Sequence, residues 1–445
     1  MLDRKPYEKQ LAMKKKVILL GLNEINFEFV KAYCAQGLLP QFKKLIDRGW
    51  TETTSEKEYK YFEPWIQWVT VYTGKTFSEH QIFRLGDIVE RKDVKQLFEV
   101  LEDANLSVGA VSPFNADNRL KKSPFFIPDP WTKTNVSGSQ FIKKLSQAVQ
   151  QSVNDNAQSK MTLSSAFTIL KGVAAFVPVS RYGTYLSLFL KVRKPGARAL
   201  VLDNLLADLF LHEWKKHRPD FSNLFLNAAA HIQHHYLFNS RAYKGNLKNP
   251  EWYCPAGFDP VLMALENYDN ILGLLEATGA TLYLATGLHQ RPHEHMSYYW
   301  RLKDQKGFMD AISSNKHTEI LPRMSRDFLI TYSNKEDAAI ATTLLESFTM
   351  EKDSEKIFEV DNRGTSLFVE LVYPNPLEDD MAISNGTVTV NNFKKYLSFV
   401  AIKNGEHDPI GYLLSNNGLM PRTIPLTDVY EILKESCLQT TAETV

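Results

Sequence analysis

Cysteine is scarce. The 445 residues hold three, Cys34, Cys254 and Cys437, far apart in the chain. That spacing excludes a disulfide framework and a thiolate metal site, and it suits a reducing compartment, so a cytoplasmic protein is expected. Net charge is almost absent: 52 Lys and Arg stand against 51 Asp and Glu, a formal +1. Nothing in that balance draws the chain to a nucleic-acid polymer or to an anionic membrane. No apolar h-region follows the early charges of residues 1–16, and no signal peptide is expected. A clean apolar run of membrane-spanning length is missing too. The most apolar segment, Phe167 to Leu190, contains Lys171, Pro178, Arg181 and Gly183. It reads as a buried helix pair or hydrophobic lid, with a lipid-binding surface as the alternative.

What is present is a globular composition, 44% hydrophobic and 23% charged. It is long enough for one large domain with insertions or for two to three domains. Short apolar runs bounded by charge or Gly read as buried strands: Lys16 to Leu22, Leu106 to Ser112, Leu224 to Ala228 and Thr281 to Ala285. Helical patterns lie between them, from about Phe27 to Gln36, Gln41 to Arg48 and Phe258 to Ala277. The fold class is therefore α/β, with a mostly parallel central sheet flanked by helices. Residues 16–136, 216–325 and 395–445 make its core, after a tail over 1–15. Residues 137–215 read as a helical insertion or cap, and 326–394 as a small α+β insertion.

The stretch from Glu63 to Phe83 organises the rest. Pro64 fits a first helical turn, Trp65, Trp68, Val69 and Tyr72 recur on one helical face, and Gly74 stands where a C-terminal cap belongs. This predicts a buried helix of about two turns, then a polar loop ending in Glu79-His80.

Polar residues with metal-binding or acid–base chemistry cluster at four places. Asn23-Glu24 ends the first strand, where open α/β sheets bind ligands; the plain reading is a helix cap. His231, His234 and His235 lie at i, i+3 and i+4 of a helix, a spacing that suits a metal or a polar surface. His289, His293 and His295 fall in an Arg-Pro context that reads as loop. His407 precedes Gly411 in Gly-Glu-His-Asp-Pro-Ile-Gly and is a ligand or a turn histidine.

The run Trp68-Val-Thr-Val-Tyr-Thr-Gly-Lys-Thr-Phe-Ser-Glu-His80, the Gln-His pair at 233–234 and the Gly-x-His motif at 405–407 together resemble the alkaline phosphatase superfamily. The resemblance is to its phosphodiesterase and nucleotide pyrophosphatase branch, over roughly 16–83, 222–290 and 399–420. It implies a metal-dependent α/β hydrolase. It places Asn23 at a metal-binding Asp, with Glu24 the nearest carboxylate, His234 at a ligand His whose Asp partner has become Ala230, and His407 at the terminal ligand His. Thr286-Gly287 stands where the family has Asp-His, and Glu63-Pro64 where it has its nucleophilic hydroxyl. The expectation is a divergent metal-dependent hydrolase or transferase acting on a phosphate or sulfate ester, of a glycan or nucleotide-sugar. Zn or Mn would be held by residues among Asn23, His231, His234, His407 and His289. Glu63, Glu24 and Arg84 are the catalytic candidates, and Trp65, Gln67, Trp131 and Arg291 the substrate-binding ones. The aromatic content, 12% with Trp65, Trp68, Trp131, Trp252 and Trp300 near these segments, suits a sugar. A small anionic ester is the expected partner, and a homodimer is allowed. Two rivals stay open: a catalytically degenerate binding protein, and a metal-free glycan-active enzyme using Glu63 and Glu24.

Overall fold

The computed structural model describes residues 15–154, 163–314, 316–322 and 326–442. An eight-stranded sheet runs in the order Thr423–Pro425, Trp50–Thr54, Ile410–Ser415, Thr281–Ala285, Val17–Leu22, Phe221–Leu226, Val108–Val111, Phe126–Ile127. The central strand Val17–Leu22 pairs in parallel with both neighbours, Val17 standing against Phe221 on one side and Thr281 on the other. Ile410–Ser415 alone in this sheet runs against its neighbours.

Strands buried on both faces need apolar residues at every position, and Val17–Leu22 has them. Ile18, Leu20 and Leu22 join a core with the helices Phe27–Ala35, Ala197–His217 and Pro260–Glu276. Val17 and Leu19 point the other way, into a core with Pro64–Thr73, Leu97–Asp103 and Asp428–Ala442. The result is a helix–sheet–helix sandwich. Gly21 is the exception to large side chains in this strand for a steric reason. A Cβ there would stand 2.7 Å from the Trp68 ring and 2.8 Å from that of Phe225.

The Pro64–Thr73 helix is ten residues long, longer than the two turns expected, and Gly74 ends it at φ +66°. The polar loop expected after it is instead a helical turn, Phe77–His80. Thr76 and Glu79 close a capping box around its first amides, and His80 is buried rather than presented.

A second core lies outside the sandwich. Strands His289–Leu302 and Leu397–Asp408 form an antiparallel ribbon. Beyond it a four-stranded sheet packs with Lys335–Glu346 around Phe308, Phe328, Ile330 and Leu367. The ribbon carries His289, His293 and His295, so these residues are not in a loop as their context suggested. Pro292 is accommodated because pairing slips between Lys403 and Gly405, leaving residues 293–296 bulged beside it. No single helix among the described residues is long and apolar enough to cross a membrane.

Candidate metal centre

Three parallel strands end side by side at Asn23, Asn227 and Thr286, the edge at which open α/β sheets bind ligands. Glu24 is held there in a left-handed conformation, φ +56°. A non-glycine residue pays roughly 1–2 kcal/mol for that geometry, so its surroundings must enforce it. Its N–H donates to Thr286 O (3.2 Å), and its carbonyl accepts from Gln290 N–H (3.1 Å) and Gln233 Nε2 (2.8 Å). The turn sends the carboxylate inward, where it is 2% exposed. Oε1 accepts from Asn23 Nδ2 (2.9 Å) and Oε2 from Gln290 Nε2 (2.6 Å).

Two imidazoles converge on the same oxygen. His234, on the helix Ala228–Tyr236, and His407, on the ribbon strand Leu397–Asp408, each bring Nε2 to 3.1 Å from Glu24 Oε2. The two nitrogens are 3.3 Å apart. Three ligand atoms thus form a triangle with edges of 3.1, 3.1 and 3.3 Å. A tetrahedral ion with ligands at about 2.0–2.2 Å has ligand–ligand edges of roughly 3.3–3.6 Å. The triangle fits within a few tenths of an ångström, and Glu24, His234 and His407 can hold a divalent ion.

The outer contacts agree with that use. His234 Nδ1 lies 3.3 Å from Gly405 O. Assigning its proton to Nδ1 satisfies that carbonyl and turns the Nε2 lone pair toward Glu24, the arrangement of a ligating histidine. Without a cation or a proton between them, the three electron-rich atoms repel. The charges respond accordingly. Burial works to raise the Glu24 carboxyl, but His407 and His234 hold it well below the usual carboxylate range. Burial works against a charged His407, and Glu24 outweighs it and raises the imidazole.

Glu63 borders this triangle. It precedes the Pro64–Thr73 helix without capping it through its side chain, and its Oε2 lies 3.7 Å from His407 Nδ1. Burial pushes its carboxyl up to about 7, against the pull of His407 and with help from the Glu24 charge.

Other candidates lie elsewhere. Asn23 gives its oxygen to Trp68 Nε1 (2.8 Å) and its amide protons to Glu24 and Asn227. His231 is exposed and packs on His235, with ring centroids 4.8 Å apart. His289 Nδ1 bonds to Ile410 O (2.7 Å). Arg84 is exposed. Arg291 is taken by Glu406 (2.8 Å), with Asp408 and Glu294 behind it, so its guanidinium is already neutralised by carboxylates. Trp65 is pinned through Nε1 to Phe83 O (2.9 Å). Gln67 is buried with Nε2 on Tyr61 O (2.6 Å), and Trp131 packs edge-on against Phe114.

Sequence reasoning missed Gln290, which fastens the Glu24 carboxylate, and Lys403, a cation within electrostatic reach of Glu63 and His407. Burial lowers Lys403. Lys403 sits on the same strand as His407, four residues earlier, and that spacing was the one available signal.

No protein-family model matches the chain, and no curated protein matches it. Among solved structures it is similar to phosphonoacetate hydrolase from Sinorhizobium meliloti 1021 bound to phosphonoformate, at 12% identity over 95% of this chain and 96% of that one, TM-score 0.44. It is also similar to murine ectonucleotide pyrophosphatase/phosphodiesterase 5, at 11% identity over 96% and 95%, TM-score 0.41. A third similar structure is a mutant TAB5 alkaline phosphatase with Mg bound, at 10% identity over 97% and 99%, TM-score 0.38.

Proposed function

We propose that this chain is a single-metal hydrolase or transferase acting on a phosphate or sulfate ester, with Glu24, His234 and His407 holding Zn or Mn. The observation that carries the reading is the triangle of Oε2 and two Nε2 atoms, 3.1–3.3 Å on edge, at the carboxyl ends of the parallel strands. Mixed imidazole and carboxylate ligation suits those two metals.

A bound ion would act as a Lewis acid on the ester oxygen and make water more acidic. The rest falls to side chains. Neither Glu63 nor Pro64 carries a hydroxyl, so in the hydrolase reading water attacks the ester directly and the alcohol leaves with the proton that the attacking water gives up. Glu63, with its carboxyl near 7, is poised to take the proton from that water at neutral pH. Lys403 offers positive charge to the anionic ester.

One ion rather than two is favoured by Trp68. Gly287 holds φ +74°, and a Cβ there would come within 3.1 Å of the Trp68 indole nitrogen. The indole therefore crowds any side chain at 287, the position at which the resemblance would put a ligand His. The carboxylate-pair alternative finds less support, because Glu24 is 2% exposed and both of its oxygens already accept hydrogen bonds.

Elemental analysis of the purified chain beside His234→Ala/His407→Ala tests the reading. About one equivalent of Zn or Mn, lost in the double variant, is expected. No metal in either protein after reloading with both ions overturns it and leaves the degenerate binding protein.

A further inference from the structure

The helices that follow residue 163 carry apolar side chains on two sides, one on the core and one on the surface. Leu163–Phe176 and Tyr182–Leu190 are joined through Val179–Arg181, and the pair is bent by 117°. A helix lying on a protein ordinarily turns its apolar stripe inward and its polar side to water. Here the inward contacts include a polar cluster. Arg181 bonds to Asp208 Oδ1 (2.7 Å) and Asn204 Oδ1 (2.6 Å), and Tyr185 OH donates to Asp208 Oδ2 (2.8 Å). These bonds fasten the pair to the long helix Ala197–His217. Phe176, Tyr185 and Leu188 are buried in the core, but a second set of apolar side chains faces out. Val179 is 78% exposed, Leu186 61% and Leu190 79%, and Phe167, Leu170, Tyr182 and Phe189 are exposed with them. Thirteen large apolar side chains are exposed among the described residues, and these are seven of them. Such concentration marks a surface that something covers.

Charge says what covers it. Residues 163–202 contain six cations and no Asp or Glu, in a chain whose overall charge is only +1. Arg181 is spent on Asp208. The remaining five are exposed: Lys171, which lies over the Phe167 ring, and Lys191, Arg193, Lys194 and Arg198 in the segment that follows the pair. An apolar helical face rimmed by cations that pair with no carboxylate among the described residues is the pattern of an interfacial membrane binder. The helices are 14 and 9 residues long, roughly 21 and 13 Å, too short to cross a hydrocarbon layer of about 30 Å.

We propose that the bent pair 163–190, with the basic segment 191–198, docks on the surface of an anionic lipid bilayer. Its apolar side chains enter the headgroup boundary and its cations lie on the lipid phosphates. This inference stands apart from the metal reading and shares no residue with it.

The test is flotation of the purified full chain with vesicles of phosphatidylcholine, alone or enriched in phosphatidylglycerol. The chain should float with the anionic vesicles, be released by high salt, and stay behind with the neutral ones. Two triple variants, Val179→Ser/Leu186→Ser/Leu190→Ser and Lys191→Gln/Arg193→Gln/Lys194→Gln, should each bind at least about tenfold more weakly with an unchanged unfolding midpoint. In Leu190→Trp the emission should shift to the blue on binding. Absence of flotation with anionic vesicles overturns the proposal, as does equal binding to neutral ones. It is also overturned if the wild type is a dimer by light scattering that the serine variant converts to monomer, since a second copy then covers the face.

Discussion

The indole N–H of Trp68 donates to the side-chain oxygen of Asn23 across 2.8 Å, and both residues are buried. This bond decides what Asn23 is for. Its oxygen faces the indole, and its amide protons are left to steady Glu24 and Asn227. Trp68→Phe keeps most of the ring volume but strands that oxygen, and should cost about 1–3 kcal/mol. Trp68→Ala also leaves a cavity against Phe225 and should cost about 3–5 kcal/mol. Urea unfolding of the two variants should therefore rank them in that order.

Metal binding should stabilise the fold. An ion at 100 times its Kd adds about 2.7 kcal/mol, seen as a rise in unfolding midpoint with added Zn or Mn. Glu24→Gln removes the charged ligand and should abolish the rise. Gln290→Ala leaves all three ligands but frees the carboxylate, and should weaken binding by about 10- to 100-fold. Isothermal titration reads both.

The ion must displace protons. Glu24 raises the His407 imidazole despite burial, so loading the centre at mildly acidic pH should release protons into a weakly buffered solution. Metal affinity should fall as the solution is acidified, and His407→Ala should lose both the binding and the proton release.

Glu63 sets a pH profile if it is the base. Its carboxyl near 7 predicts hydrolysis that rises through about pH 7 as the proton leaves, and Glu63→Gln should remove that limb. For stability the sign is opposite. A carboxyl raised from its ordinary 4.5 contributes fully below that value and loses its contribution as pH rises toward 7.

His80 gives a second pH effect away from the centre. Its Nδ1 accepts from Ile82 N–H (3.0 Å), and burial, with the Arg91 charge behind it, lowers the imidazole to about 4. A depressed histidine favours the fold fully above 6.5 and loses that contribution as pH falls toward 4, by up to about 3 kcal/mol. His80→Gln should flatten unfolding free energy against pH across that window.

Much of this was legible in the sequence because it is local. Apolar runs gave the central strands, and Pro64 with Gly74 bracketed the helix between them. His234 and His407 stood out through the spacing of their motifs. What stayed hidden depends on contacts between distant residues. Gln290 bonds to a carboxylate 266 positions away, and no local pattern marks it. Arg291 looked free for an anion because Glu406 reaches it only across the ribbon. The three ribbon histidines looked like loop because a proline stood among them, and only the slipped pairing opposite Gly405 makes room for it. The Thr76–Glu79 box was readable in principle as Thr-x-x-Glu.

The triangle of Glu24, His234 and His407 ties together a strand end, a helix and a ribbon that enter the chain more than 170 residues apart in each case, at 24, 234 and 407. An ion seated there is a cross-link as much as a reagent. It closes two long loops at one point, one of which contains the whole helical segment and the other the whole second core. With the ion in place, the ribbon and the lobe it carries should lose the freedom to open apart from the sheet, and the two cores should melt as one.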